Sequence, residues 1–378
     1  MKTAWTDVFE IRCWLTCVGK IFSTHSISTS ALILFNLKYQ SRIIINMWLI
    51  NTETFKLEYV VNSEEHSYAI LSHIWEDEEV SFQQFQDLDS CRSMKGYKKI
   101  EKTVELARGK GLKHAWVDAC CIDKSSSAEL SEAINSMFKW YADSRVCFAY
   151  LSDLPSISEL ASSHSGGDRR HIKIQWKAFA KCRWFTRGWT LQELISPGIL
   201  EFYDSGWNFY GTKETEVEYL EYITKMPLQV LLHREDMRGI PVAFRMSWAA
   251  NRVTTRVEDI AYCLLGIFDI NMALLYGEGH KAFMRLQEEI CKQTPDLTLF
   301  AWSANVQNLS HSGILANSPS EFRDGGSLRW STSDWFGEFR ITNRGLLLRP
   351  TITSEVAGNE TTVIFNMQLA LTILGIKM

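Results

Sequence analysis

The amino-acid sequence predicts an α/β protein built on a doubly wound parallel sheet. Short apolar runs alternate with segments of helical periodicity between residues 47 and 210. Such alternation with short links is typical of a parallel sheet covered by helices on both faces. Several apolar runs also end in polar residues, and ligands of these sheets bind at the carboxyl ends of the strands. The sequence therefore predicts both a fold class and the sheet edge where a site would lie.

The first half of this core has three elements. Residues 68–72 form a short apolar run that predicts a buried strand. Residues 98–110 place apolar side chains on one helical face, and glycines at 109 and 111 end the pattern. The nearly continuous apolar run at 115–122 predicts a central strand that is buried on both faces.

The second half of the core repeats the alternation. Ser127 is a candidate N-cap for a helix whose apolar residues recur as far as Tyr141. The remaining predicted elements are a strand at 146–151, a surface loop at 156–170, a tryptophan-rich helical region at 176–195 and a strand at 199–204.

Four regions follow from these patterns. Residues 1–46 lack a clear period and are expected to be a poorly ordered appendage or a gene-model extension. Residues 47–210 form the α/β core, and residues 211–296 read as a helical extension with amphipathic stretches at 256–268 and 280–293. Residues 297–378 are expected to form an irregular, β-rich C-terminal region.

The composition excludes several classes of protein. Of 378 residues, 46% are hydrophobic and 22% charged, and the net charge of −4 argues against a nucleic-acid-binding surface. No segment approaches the roughly 18 consecutive apolar residues of a membrane span. The nine cysteines show neither a CxxC pair nor Cys/His metal spacing. We therefore expect reduced thiols, no metal site and a cytoplasmic location.

Polar residues at the end of one predicted strand and within the next are candidates for a site. Ser72 and His73 end the first strand, and Asp118 lies within the second apolar run. A carboxylate there is costly unless it is paired, so Asp118 is either a structural anchor or a site residue. His73 is either a satisfied core histidine or a pocket residue. Asp123 precedes a serine-rich stretch, where a turn or cap is the competing role.

The segment from Arg187 to Leu194 carries a tryptophan and a glutamate four residues apart, which lie on one face of a helix. In a chain with 14 tryptophans, a WxxxE match is expected by chance, and Trp75 with Glu79 is a second match. The alternative to a site is therefore that Trp189 is a core residue and Glu193 its solvated neighbour or a partner of Arg187.

Several blocks of the sequence resemble the heterokaryon-incompatibility (HET) domain of fungal proteins. They are YAILSHIW at 68–75, WVDACCID at 116–123 and RGWTLQE at 187–193, followed by MSWA, TRVEDIAYCLLG and LYGEG between 246 and 279. The resemblance covers roughly residues 47–350. One departure is Glu76, which stands where the family commonly has glycine, so the loop there is expected to differ.

The resemblance implies a function as well as a fold. HET domains trigger programmed cell death when genetically different fungal cells fuse, and their fold is similar to the TIR domain, a flavodoxin-like sheet. Some TIR domains hydrolyse NAD⁺ with the glutamate of a WxxxE pattern, which Trp189 and Glu193 match. The implied enzyme class is NAD⁺ nucleosidase, with NAD⁺ as substrate and no cofactor.

The chemistry of NAD⁺ suggests how the candidate residues would act. Nicotinamide is already cationic and leaves neutral, so one carboxylate, Glu193, would stabilise the ribosyl cation. Trp189 or Trp75 would pack on the nicotinamide ring, and Arg187 would meet the pyrophosphate. Ser72 and Asp118 would hold ribose or amide groups, and His73 and Asp123 are further candidates for binding the substrate.

Two alternatives remain open. The first is a non-catalytic module for homotypic signalling and assembly, in which Glu193 is structural. The second is a degenerate or truncated gene product. In the hydrolase and in the assembly module alike, we expect an effector without its own sensor, with self-association and an upstream sensor protein as partners.

Overall fold

The computed structural model describes residues 46–156, 176–303, 313–327, 338–343, 345–349, 352–357 and 360–365. The predicted appendage, apart from residue 46, and nearly all of the predicted loop at 156–170 lie outside the described residues. The boundaries of the four predicted regions remain a prediction.

The core is a seven-stranded mixed sheet with its parallel strands in the centre. In spatial order the strands run β2-β1-β4-β3-β5-β6-β7. Their bounds are β1 Met47–Asn51, β2 Leu57–Val60, β3 Tyr68–His73, β4 His114–Trp116, β5 Val146–Tyr150, β6 Leu200–Tyr203 and β7 Phe209–Thr212. The predicted α/β class with a parallel core is confirmed, and both edges of the sheet carry antiparallel pairs that were not predicted.

The register of the parallel strands fixes where a site can form. Strand β3 pairs in parallel with β4 on one side, with Tyr68 opposite His114, and with β5 on the other, with His73 opposite Tyr150. Among the four parallel strands, the chain visits positions in the order 2-1-3-4. The direction of winding therefore reverses beside β3, and the carboxyl ends of the strands there border a crevice.

Helices cover the sheet and continue after it. In chain order the α-helices are α1 Phe82–Phe85, α2 Leu88–Cys91, α3 Tyr97–Gly109, α4 Asp118–Cys121, α5 Ser127–Asp143, α6 Thr190–Ile195, α7 Val217–Thr224, α8 Leu228–Leu231, α9 Val242–Ser247, α10 Asp259–Tyr262, α11 Leu265–Phe268 and α12 Lys281–Gln293. Short 3₁₀ turns include Arg183–Thr186 before α6 and Leu297–Phe300 after α12.

The two long helices of the core agree with the sequence pattern. Helix α3 buries Ile100 and Val104, as predicted for 98–110, and the chain turns at Gly111, which has φ 73°. Helix α5 begins at Ser127, and the preceding Ser126 accepts a hydrogen bond from the backbone N–H of Glu129. The cap is thus one residue earlier than predicted.

The prediction of one strand over 115–122 is wrong. Strand β4 ends at Trp116, and Asp118–Cys121 forms helix α4 after an extended Val117. The side chains of Ala119, Cys120 and Cys121 are buried in this short helix. A continuous apolar run satisfies burial in either geometry, so its periodicity could not separate them. Asp118 is therefore the first residue of a helix at the sheet edge and not a mid-strand carboxylate.

Among the described residues after β7, helices come first and strands follow from residue 338 onward. The single stripe expected at 256–268 is two short helices, α10 and α11, and the chain leaves α11 through Asp269 in the left-handed conformation (φ 57°). Gly266 lies against helix α5, where a Cβ would come within 2.1 Å of the Cβ of Phe138. The late strands are β8 Glu338–Thr342, β9 Gly345–Arg349, β10 Ile352–Ala357 and β11 Glu360–Phe365, in two antiparallel pairs.

Within the part of the chain that the structure describes, no helix combines the length and the apolar character needed to cross a membrane.

Candidate active site

A cavity of 330 Å³ lies beside the carboxyl ends of β3 and β4. This volume falls in the range of small-molecule sites, which is roughly 300–1,000 Å³. The cavity combines aromatic, charged and aliphatic side chains, and it is lined by His73, Trp75, Asp118, Ile122, Lys124, Leu130, Ile134, Met137, Arg187, Trp189, Thr190, Glu193, Thr255, Arg256, Asp259 and Tyr276. Six of the eight site residues predicted from the sequence are in this set.

Glu193 is the most buried carboxyl group of the cavity lining, with 7% of its surface exposed. Burial raises its pKa, and the negative charge of Asp118 raises it further, while the Ser72 hydroxyl opposes the shift, so that the pKa reaches about 8. The group is therefore mostly protonated at neutral pH. A cationic ligand beside it would favour loss of this proton.

Ser72 supports Glu193 from below the cavity. Its hydroxyl, which is fully buried, donates to Oε2 of Glu193 at 2.5 Å and accepts from the indole Nε1 of Trp184 at 2.8 Å. Because Ser72 lies on β3 and Glu193 on α6, this bond ties the helix to the sheet. Ser72 itself does not line the cavity.

Asp118 is held by His73, which is held in turn by Lys99. The His73 Nε2 lies 3.0 Å from Oδ1 of Asp118, and the Nζ of Lys99 lies 3.3 Å from Nδ1. An ammonium group only donates, so Nδ1 accepts and Nε2 carries the ring proton that points at Asp118. Burial alone would raise the pKa of Asp118, but the hydrogen bond from His73 and nearby cations lower it to about 2. Asp118 therefore supplies a permanent negative charge.

Trp75 also lines the cavity and is exposed to solvent, with 46% of its surface accessible. Its Nε1 donates to Oδ2 of Asp118 at 2.7 Å, and the ammonium of Lys124 lies 3.8 Å from its ring centroid. One face of this indole is already occupied by a cation. A cationic ligand ring would have to displace Lys124 to stack there, which favours Trp189 as the stacking surface.

Glu76 lies in the loop after β3. Its carboxylate accepts from the hydroxyl of Ser152 at 2.8 Å and from the guanidinium of Arg183 at 3.2 Å. The positive φ of this loop is found at Glu78 (φ 64°). Glu76 thus connects the loops that follow β3 and β5.

The segment before helix α6 is fixed by contacts with residues 252–254, and these contacts require glycine at position 188. The N–H of Gly188 donates to the carbonyl of Val253 at 2.9 Å, and a Cβ on this glycine would lie 2.4 Å from a methyl group of Thr254. Buried Arg252 donates to the carbonyl of Arg187 at 2.7 Å. Only glycine allows this close approach of the two segments.

Buried Lys213 holds the far end of helix α6. Its ammonium donates to the carbonyls of Leu194 and Ile195, each at 3.3 Å, and of Pro197 at 2.5 Å. Cations at a helix C-terminus satisfy carbonyls that lack intrahelical partners. The position of Glu193 is therefore set by contacts on three sides.

Trp189 is hydrogen-bonded to Asp259, which lines another part of the cavity. The Nε1 of Trp189 donates to Oδ2 of Asp259 at 3.4 Å, and the hydroxyl of Tyr276 donates to Oδ1 of Asp259 at 3.0 Å. The guanidinium of Arg187 donates to the hydroxyl of Thr255 at 3.1 Å. Burial raises the pKa of Asp259.

The remaining predicted residues lie elsewhere. Asp123 is outside the cavity lining, where its Oδ1 accepts from Gln83 at 2.6 Å and from the hydroxyl of Ser125 at 2.6 Å in a turn. Glu79, the glutamate of the second WxxxE match, pairs with the ammonium of Lys99 at 2.5 Å and does not line the cavity. Their roles in binding are not assigned by this geometry.

Several residues of the site could not be identified from the sequence. In the sequence, Lys99 is recognisable only as part of a predicted helix and Lys124 only as part of a turn. Asp259 and Tyr276 lie in the TRVEDIAYCLLG and LYGEG blocks, so the only sequence signal for them is that resemblance. No group of three or more His, Cys, Asp or Glu side chains suited to a metal ion occurs among the described residues.

Comparison with known proteins gives a family match over part of the chain. Residues 68–193 match the family model of the Heterokaryon incompatibility protein (HET), and residues 281–324 match a domain of unknown function, DUF8212. The chain is similar to the Vegetative incompatibility protein HET-E-1 of Podospora anserina, with 45% identity over 229 residues. That match covers 60% of this chain and only 16% of the relative. No solved structure matches the chain.

Proposed function

We propose that this chain, whose residues 68–193 match the heterokaryon-incompatibility (HET) family model, acts in fungal non-self recognition by hydrolysing NAD⁺ at the nicotinamide–ribose bond. The observation that carries the proposal is Glu193, a buried carboxyl group that lines a cavity of small-molecule size at the carboxyl edge of a parallel sheet. The strand order 2-1-3-4 supports a TIR-like reading, because flavodoxin-like sheets begin with the same order.

The chemistry requires a carboxylate near the anomeric carbon. Nicotinamide leaves as a neutral base when its bond to ribose breaks, and a ribosyl oxocarbenium ion forms. A buried carboxylate stabilises that ion strongly, since few water molecules screen the interaction. In this site Glu193 supplies the carboxylate, and Asp118, with its pKa of about 2, adds a second negative charge nearby.

The raised pKa of Glu193 gives the reaction a complete proton balance. Binding of the cationic nicotinamide ring favours ionisation of Glu193, whose proton leaves to solvent. Water then attacks the oxocarbenium carbon, and the Glu193 carboxylate accepts one proton from that water. The products are nicotinamide and ADP-ribose, and the glutamate is returned to its protonated resting form.

Other side chains of the cavity would orient the substrate. Trp189 offers an indole face for the nicotinamide ring, and Arg187 offers a guanidinium for the pyrophosphate. Ser72 holds Glu193 in place through its 2.5 Å hydrogen bond, while His73 fixes Asp118. In this proposal Ser72 and His73 position the reacting groups and do not touch the substrate.

The test is NAD⁺ turnover by the purified full chain, both free and clustered on a multivalent support. Clustering is included because we propose that self-association, driven by an upstream sensor, activates the protein. We expect nicotinamide release, and a loss of about 10²–10³-fold in Glu193→Gln, the usual cost of removing one group that stabilises transition-state charge. The matched control is Glu218→Gln, the same change at an exposed position on α7. Equal turnover by wild type and Glu193→Gln would reject the proposal.

A second function, non-catalytic assembly, is favoured by the hydrogen bond that Glu193 forms with Ser72. The bond between Ser72 and Glu193 joins β3 to α6, and a structural role for Glu193 would suit a non-catalytic module for homotypic assembly. Expression in fungal cells separates the two. An assembly module should keep its cell-death activity in Glu193→Gln, whereas an NAD⁺ hydrolase should lose it while still self-associating.

A further inference from the structure

One wall of the cavity comes from outside the HET match. Thr255, Arg256, Asp259 and Tyr276, which we call the extension wall, all line the cavity, and the family match ends at residue 193. This wall is connected to the HET domain through Trp189, whose indole N–H donates to Asp259. The binding unit is therefore larger than the matched domain.

The extension wall is held in place by its own hydrogen bonds. The carboxylate of Glu258 accepts from the N–H groups of Gly277 and Gly279 at 2.8 and 2.9 Å. Both glycines have positive φ, 102° and 62°, which glycine adopts at little cost. The hydroxyl of Tyr262 accepts from the N–H of Leu275 at 2.8 Å. These contacts on both sides of residue 276 fix its ring against the cavity.

Asp259 can accept further hydrogen bonds from a ligand. Each of its oxygens already accepts one protein donor, Tyr276 on Oδ1 and Trp189 on Oδ2. A carboxylate oxygen has two acceptor positions, so one remains on each side. Two adjacent acceptors match the two hydroxyls of a ribose, a group that carboxylates bind in dinucleotide sites.

Two guanidinium groups lie at the same wall. Arg256 packs over the ring of Tyr276, 4.4 Å from its centroid, and Arg187 donates to Thr255. Within the described ranges neither guanidinium forms an ion pair with a carboxylate. Both are therefore available for an anion, and the planar set of guanidinium N–H donors matches the oxygens of a phosphate in geometry.

We infer that the extension wall selects a phosphorylated riboside, with Asp259 accepting from the vicinal hydroxyls of the ribose and Arg256 with Arg187 holding the phosphate. This inference rests on the proposed function, since it names the subsite for the substrate's nicotinamide ribose. It assigns Asp259 and Arg256 to substrate selection, and it extends the active unit to the LYGEG block.

Binding of a non-cleavable probe tests the inference on the full chain. The probe is carba-NAD⁺, in which a methylene replaces the ring oxygen of the nicotinamide ribose, so that no oxocarbenium ion can form. Its 2′,3′-dideoxy form lacks only the two hydroxyls. We expect wild type to prefer the diol probe by about 10- to 100-fold, the worth of hydrogen bonds to a charged group.

The variants give a pattern that a structural role would not produce. Asp259→Asn should reduce the preference for the diol to less than about threefold. Arg256→Gln should weaken both probes equally and leave the preference unchanged. Asp89→Asn, at a carboxylate whose side chain is 94% exposed, should change neither quantity.

Two other results have distinct meanings. If wild type binds both probes equally, or if Asp259→Asn keeps the full preference, the inference is wrong and the proposed function stands. If wild type binds neither probe at millimolar concentration while remaining folded, the proposed function fails and the inference fails with it.

Discussion

Replacing Glu193 by glutamine should change how the stability of the protein depends on pH. The carboxyl group has a pKa of about 8 in the folded protein, against an ordinary value of 4.5. Between these values the folded state keeps a proton that the unfolded state has released. The free energy of unfolding therefore falls as the pH rises through this window. The stabilising contribution is complete below pH 4.5 and is lost above pH 8.

The size of the effect follows from the same two values. At 1.36 kcal/mol for each pH unit, the interval from 4.5 to about 8 corresponds to about 5 kcal/mol. Glu193 is only 7% exposed, so solvent screening reduces this figure little. Glutamine keeps the shape and does not titrate. Relative to wild type, Glu193→Gln should therefore gain about 5 kcal/mol between pH 4.5 and pH 9.

The assay is urea unfolding of both full-length proteins, followed by tryptophan fluorescence at several pH values between 4.5 and 9. Lys213, whose pKa burial lowers to about 8, titrates in both proteins and so cancels from the difference. The difference in unfolding free energy should grow steadily with pH. If the difference in unfolding free energy stays constant over the whole pH range, Glu193 is not a buried carboxyl group with a raised pKa.

Three further predictions concern the framework around the site. Gly188→Ala should lower the unfolding free energy by about 1–3 kcal/mol, because the added Cβ would lie 2.4 Å from a methyl group of Thr254. The control Gly198→Ala, where no atom lies within 4 Å of the added Cβ, should leave the unfolding free energy unchanged. Thermal unfolding of the two variants compares them. Lys213→Met should lower the unfolding free energy by about 2–3 kcal/mol, because the carbonyls of Leu194 and Pro197 lose this donor while that of Ile195 keeps its contact with His233. An unchanged unfolding free energy in urea would contradict this. Lys99→Met should cost about 3–5 kcal/mol by leaving the nearly buried Glu79 without its cation, and Lys99→Met/Glu79→Leu should recover much of that in a double-mutant cycle.

The sequence predicted the core of the fold because its elements are locally encoded. Helix α3 has a clear helical period of apolar residues, and strand β5 is a short apolar run rich in β-branched and aromatic residues; both were found within one residue of the expected bounds. The error at 115–122 had the opposite cause. When every residue of a segment is buried, hydrophobicity carries no information on whether the backbone is extended or helical. The antiparallel edge strands β1, β2 and β7 carry no strong period.

The site was predictable in part because strand ends mark it. Ser72 and His73 end β3 and Asp118 follows β4; Ser72 contacts Glu193, and His73 and Asp118 line the same cavity as Glu193. Asp259 could not be reached by the same argument. It comes from a segment that meets the cavity only through tertiary packing, where Gly188 lets the chain at 252–254 approach α6.

The proton balance of ligand binding tests the central claim most directly. Carba-NAD⁺ is titrated into the full chain at pH 7 by calorimetry, in two buffers with different ionisation enthalpies. With a pKa of about 8, Glu193 is about 90% protonated at this pH before binding. The cationic ring should therefore release close to one proton in wild type and none in Glu193→Gln. Binding that releases no proton in wild type, or the same number in both proteins, would contradict a protonated Glu193 facing the nicotinamide ring.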